Sequence, residues 1–263
     1  MATQPVSLLH YLQHSPPPLP VIDQGQSTKN TESPSYSADD INYVGHWTQF
    51  NLTTILQQYQ ALLRTIAIND DPMPPSPPRP INSEQGLRSR VVWYLEKRVQ
   101  RSLRSSFAHL GMNNGLVDLT VVDFGEGELA RIVDQYTPDL AFYDPQDNPS
   151  NRPNRLPGEI KPSYKWSRAL QDAPREYGQT QFLQALSQIN WYMEQNETQY
   201  GFILTDRELV AIKRLDDDGR LELSETVPWS TRGSEESPRL TVLLALWYLG
   251  MLAANNGQWQ LVA

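Results

Sequence analysis

The stretch PDLAFY at residues 138–143, followed by GEIK at 158–161 and REYGQTQFLQALSQINWYMEQ at 175–195, decides the fold. The first two pieces are short, apolar and bounded by turn-forming residues, so they read as strands. The third carries Phe182, Leu183, Leu186, Ile189, Tyr192 and Met193 at helical spacing and reads as a long helix. Side chains two apart in a strand share a face, so Glu159 and Lys161 project together while Ile160 points into the opposite layer. If the two strands pair, Asp139 meets that pair of side chains.

Working outward, Ser83 reads as a helix N-cap, and Leu87, Val91, Leu95, Val99 and Leu103 then recur every four residues. Glu84 lies seven residues before Val91, almost two turns, which turns its carboxylate toward the core-facing side. After the Asn113-Asn114-Gly115 turn, residues 116–122 read as a strand. Beyond the long helix come strands at 200–205, 208–214 and 220–223, then a nearly all-apolar helix at 240–254. The order of helix, three strands, helix, strands and helix predicts an α/β sandwich with a mixed central sheet flanked by helices.

Proline is unevenly placed, with twelve of the 21 in the first 80 residues. Residues 1–40 are polar and Pro-rich and are expected to form a disordered tail. Residues 41–68 form an amphipathic helical segment, with Leu52, Ile55, Leu56, Tyr59, Leu62, Leu63 and Ile66 on one stripe. That stripe packs on the main domain or serves a protein partner or self-association through residues 51–68. Residues 69–80 hold six prolines in twelve positions and read as an extended linker, leaving 81–263 as the main domain.

The chain has no cysteine, which excludes disulfide frameworks, thiolate zinc sites and cysteine nucleophiles. No signal-peptide pattern or membrane-spanning run occurs, so an intracellular protein, nuclear or cytoplasmic, is expected. Net charge is −8, yet residues 79–104 hold seven basic against two acidic side chains, and 150–168 five against one. The average therefore conceals two basic zones able to meet phosphate. Asp118 and Asp123 read as strand-end residues, and His10, His14, His46 and His109 show no metal or base spacing.

Two carboxylates and an amine gathered at one strand pair make a plausible hard-cation site. The acids repel one another, a divalent ion such as Mg2+ relieves this, and the amine offsets charge on a phosphoryl transition state. The run PD, nineteen residues, ExK and then QxxxY from Gln188 to Tyr192 resembles the PD-(D/E)xK nuclease superfamily. The text QALSQINWYMEQNETQYGFILTDRELVAIKRL resembles in particular nuclease-like domains common in fungal proteins. The resemblance implies a restriction-endonuclease-like fold and a nuclease using Mg2+ or Mn2+. It implies Asp139 and Glu159 as metal ligands, with Glu84 completing the site, Lys161 as catalytic lysine and Gln188 as supporting glutamine. Arg88, Arg152, Arg155 and Lys165, from the basic zones, and Tyr192, from the helix, are the candidate contacts to nucleic acid.

Two other readings stand beside this one. Glu159 with Lys161 is also what a cross-strand ion pair on a solvated face looks like, and Gln181, Gln184 and Gln188 what the polar side of an amphipathic helix looks like. The fold also serves as a non-nucleolytic module binding a protein or small molecule, for example an accessory protein in a fungal pathway.

Overall fold

The computed structural model describes residues 4–22 and 25–261. In chain order the strands and helices are β1 (Pro5–Ser7), α1 (Leu8–Leu12), β2 (Tyr43–His46), α2 (Leu52–Thr65), β3 (Ala67–Asn69), α3 (Glu84–Val91) and α4 (Lys97–Met112). There follow β4 (Asp123–Glu126), β5 (Leu140–Tyr143), β6 (Gly158–Ile160), α5 (Glu176–Gln195), β7 (Tyr200–Leu204), β8 (Glu208–Arg214), β9 (Arg220–Leu223), β10 (Val227–Pro228) and α6 (Val242–Ala254).

The main sheet runs β2-β9-β8-β7-β6-β5-β4, with β10 paired to β8. It is mixed, since β2 with β9 and β6 with β7 are parallel and the remaining pairs antiparallel. Alternation along β7 sorts the two layers. Phe202 and Leu204 join the core under α4 and α6, and Ile203 joins the core under α5 with Phe182, Leu186, Ile189 and Met193. Register places Glu159 beside Ile203, and therefore on the α5 side, while Ile160 pairs with Leu204 on the other.

The departures from the sequence reading have physical causes. The expected tail is part of the fold in its described residues, 4–22 and 25–40; residues 1–3 and 23–24 lie outside the description. Leu8, Leu9, Tyr11 and Leu12 are fully buried, and β1 pairs antiparallel with β3. Residues 41–68 likewise belong to the single body: β2 edges the main sheet, Ile55 and Leu63 are buried, and Leu52, Leu56, Tyr59 and Leu62 pack on the same core. Of the two roles open to this stripe, packing on the main domain is the one the described residues show. Of residues 69–80, Asn69 closes β3 and 70–80 hold no regular element, while Arg98 donates to the carbonyls of Asp71 and Pro72.

The strand expected at 116–122 begins only at Asp123, because the turn continues through Asp118, which has φ 62°. The helix expected to run unbroken from Ser83 contains a wider π-type turn, Val92–Glu96, between α3 and α4. There Trp93 is turned out to solvent, 67% exposed.

Candidate metal centre

Four elements build the site. Ser83 caps α3 by accepting from the Gly86 N–H at 3.1 Å, which fixes Glu84 in the first turn. Pro138 leads into β5 and sets Asp139 at its head; the Asp139 carbonyl accepts from the Gly127 N–H at 3.1 Å. Gly127 is required there, since a Cβ would collide with the Pro138 carbonyl. Glu159 on β6 and Lys161 directly after it share a face, and the Lys161 N–H still donates to the Leu204 carbonyl at 3.0 Å before Pro162 ends the ladder.

Carboxylate oxygens of Glu84, Asp139 and Glu159 lie within 4.8 Å of one another. Asp139 Oδ2 accepts from the Ile160 N–H at 2.9 Å, and Asp139 Oδ1 lies 3.2 Å from the Arg88 guanidinium. Lys161 Nζ donates to Glu159 Oε1 at 2.7 Å, and Lys165 Nζ to Glu84 Oε2 at 3.1 Å. Glu159 is 3% and Lys161 1% exposed, so this pair is an interior feature and not a solvated ion pair. A cleft of about 400 Å³ lined by Ser83, Glu84, Gln85, Arg88 and Asp139 opens onto the cluster. A cleft of about 430 Å³ elsewhere is lined by Asp39, Asp40, Glu194, Asp217 and Asp218 and contains none of these groups.

Electrostatics follow from crowding. Burial, and then the charge of Asp139, push the Glu159 carboxyl up to about 8 against the pull of Lys161. Burial also raises Asp139, although the Ile160 N–H and Arg88 oppose it. Burial works against the Lys161 ammonium, but Glu159, Glu84 and Asp139 outweigh it and hold its proton above the usual lysine range. The Lys161 ammonium is thus held by acids that burial and mutual repulsion push toward protonation. An all-oxygen donor set under this strain suits a hard divalent cation such as Mg2+ or Mn2+.

The remaining candidates separate. Gln188 is buried, donates to the Tyr192 hydroxyl at 3.1 Å, and its Oε1 is buried with no partner among the described residues. Tyr192 is buried too, with its hydroxyl proton held above the usual tyrosine range by burial and by Glu159. Gln181 and Gln184 hold residues 30–38: Asn30 N donates to Gln181 Oε1 at 2.5 Å, and Gln184 Nε2 to the Thr31 carbonyl at 3.0 Å. The polar side of α5 is thus an internal surface.

Arg152 and Arg155 do not reach the cleft. Arg152 donates to the carbonyls of Leu129, Pro145 and Asp147 and lies over the Tyr143 ring. Arg155 donates to the Ala253 carbonyl and Asn256 Oδ1, each at 2.7 Å, and lies over Trp259. Both guanidiniums are engaged in holding loops.

Tyr36 was missed by sequence reasoning. It is buried close enough to Glu159 and Lys161 that their charges act on its hydroxyl, and it comes from the segment expected to be disordered. No periodic signal surrounds it. Compared with known proteins, the chain matches no family model, no curated protein and no solved structure.

Proposed function

We propose that the chain is a divalent-metal-dependent phosphodiester hydrolase of PD-(D/E)xK type, acting on DNA or RNA. The observation that carries this reading is the convergence of Glu84, Asp139 and Glu159 within 4.8 Å of one another, with Lys161 Nζ on Glu159. Bound Mg2+ or Mn2+ supplies charge neutralisation at a phosphoryl oxygen and a more acidic water. Asp139 and Glu159 would hold the ion, and Glu84 would complete its acidic surroundings. Lys161 Nζ, which stands 2.7 Å from Glu159 Oε1, would offset charge on the reacting phosphate. Arg88 lines the cleft beside Asp139 and would be available there to a flanking phosphate. Lys165 plays the same part beside Glu84.

The test is cleavage of single- and double-stranded DNA and RNA with Mg2+ or Mn2+. Wild type is expected to cut at least one of them, and Lys161→Ala and Glu159→Gln to lose roughly a thousandfold in rate. Equal inactivity of wild type and variants across all substrates and metals ends this reading.

A second reading is favoured by two specific observations: residues 30–38 cover the glutamines of α5, and Arg88 already pairs with Asp139. A fold kept as a non-nucleolytic binding module needs nothing more open. It predicts stoichiometric partner binding that survives the double variant Asp139→Ala with Glu159→Ala.

A further inference from the structure

The N-terminal arm brings together a second donor set of different chemistry. His10 lies in α1 and His14 two residues past its end, the rings meeting edge to face with centroids 5.7 Å apart. Asp70 directly follows β3, and its Oδ1 lies 2.7 Å from His14 Nε2. One ligand atom from each of His10, His14 and Asp70 falls within 4.8 Å of the others. A hydrogen bond to Asp70 needs one imidazole; the second, brought to the same place, is what a metal site requires.

The backbone fixing these groups is independent of any ion. Pairing of β1 with β3 sets Pro5 opposite Asn69, and the Leu8 N–H donates to the Ile66 carbonyl at 2.9 Å. The guanidiniums of Arg98 and Arg101 pair with Asp71 and not with Asp70, whose Oδ1 faces His14 Nε2 and also accepts the Asp71 N–H at 2.9 Å. His14 is buried and His10 half-buried, so one side of the set faces solvent, which leaves room for the water that a three-ligand zinc site ordinarily adds.

We infer that His10, His14 and Asp70 form a binding site for a borderline transition-metal ion, Zn2+ by its chemistry, that staples the N-terminal arm to the end of β3. Two imidazoles and one carboxylate favour Zn2+, Co2+ or Ni2+ over Mg2+, in contrast to the all-oxygen cluster at Glu84, Asp139 and Glu159. The site is about 56 residues of chain in closure, so its occupation restrains the arm that carries Leu8, Leu9 and Leu12 into the core.

The experiment uses the full chain, stripped with chelator and titrated with ZnCl2 by calorimetry in a large excess of Mg2+, which saturates hard carboxylate sites. A parallel titration with CoCl2 follows visible absorption. One Zn2+ per chain, nitrogen-ligand Co2+ bands and a raised melting temperature are expected. His10→Ala, at the less buried imidazole, is expected to weaken binding by about a hundredfold, and Asp70→Asn to do the same. The Glu159→Gln protein is expected to bind Zn2+ as wild type does, which separates this site from the proposed phosphodiesterase centre. Absence of Zn2+ binding under Mg2+ excess, or unchanged binding in a folded His10→Ala protein, overturns the proposal. Binding lost in Glu159→Gln but kept in His10→Ala overturns it equally.

Discussion

Asp139 Oδ2 accepts the backbone N–H of Ile160 at 2.9 Å, tying the head of β5 to the strand that carries Glu159 and Lys161. The bond makes one residue both an anchor of the sheet and a candidate ligand. These two roles separate on substitution. Asp139→Asn keeps an acceptor oxygen and is expected to fold as wild type while losing Mn2+ binding in calorimetry. Asp139→Ala leaves a buried N–H without its partner and is expected to cost a further 1–3 kcal/mol or so in urea unfolding. Intact Mn2+ affinity in Asp139→Asn removes Asp139 from the site.

Gly127 acts on the site without touching an ion. A Cβ there meets the Pro138 carbonyl, one residue before Asp139, and backbone yields less easily than a flexible side chain. Gly127→Ala is expected to shift the head of β5 and lower cleavage at least tenfold, because a displacement near 1 Å at a reacting centre costs up to about a hundredfold. Circular dichroism is expected to stay native. Wild-type rates in Gly127→Ala place Asp139 outside the chemistry.

The Glu159 carboxyl, at about 8 against an ordinary value of 4.5, gives stability a definite pH dependence. A raised value means that the folded state binds the proton more tightly than the unfolded state. Its contribution is therefore fully present below about pH 4.5 and is lost as pH rises toward about 8. Excess Mg2+ is expected to cancel that loss, because the ionised carboxylate is the form that binds a cation. Urea midpoints across this range, with and without Mg2+, check both signs. A slope unchanged in Glu159→Gln assigns the effect to another group.

Much of this site was legible because its signals are local. Two-residue alternation placed Glu159 and Lys161 on one face, and the four-residue repeat after Ser83 turned Glu84 inward. What was not legible depends on partners far along the chain. Thr241 Oγ1 donates to the Leu12 carbonyl, Trp229 Nε1 to that of Pro17, and the Arg239 N–H to Gln13 Oε1. Each joins the N-terminal arm to residues more than two hundred positions away, so low local hydrophobicity and dense proline suggested disorder. His10 and His14 looked unremarkable for the same reason, since their four-residue spacing acquires meaning only when Asp70 arrives through β1–β3 pairing. Arg152 and Arg155 sit in a polar, proline-rich loop that gives no sign of the carbonyls they satisfy.

Those two arginines yield a prediction opposite to the one their sequence suggests. Arg155→Ala removes two hydrogen bonds, to Ala253 and Asn256, and the contact with Trp259. Bonds from a charged donor contribute about 1.5–3 kcal/mol each, so the variant is expected to unfold at clearly lower urea. Its KM for nucleic acid is expected to match wild type in the absence of urea. Arg88→Ala is expected to behave the other way, with a small stability change and a raised KM. Filter binding and urea unfolding on both variants decide between a loop-holding and a phosphate-contacting role.

The N-terminal arm offers the sharpest contrast between composition and packing. Leu9 is fully buried in the same core as Ile55, Leu63 and α6. Leu9→Ala is expected to destabilise by about 2–5 kcal/mol, the range for large-to-small changes in a packed core. A disordered tail predicts no measurable change. A chain beginning at Ile41 tests the same point more severely, since it exposes the surfaces that Leu8, Leu9, Tyr11 and Leu12 cover and also lacks Tyr36 beside Glu159. It is expected to lose its cooperative unfolding transition in calorimetry and bind a hydrophobic dye. Cooperative unfolding at the wild-type temperature in that shortened chain means that the arm is an addition to the core and not part of it.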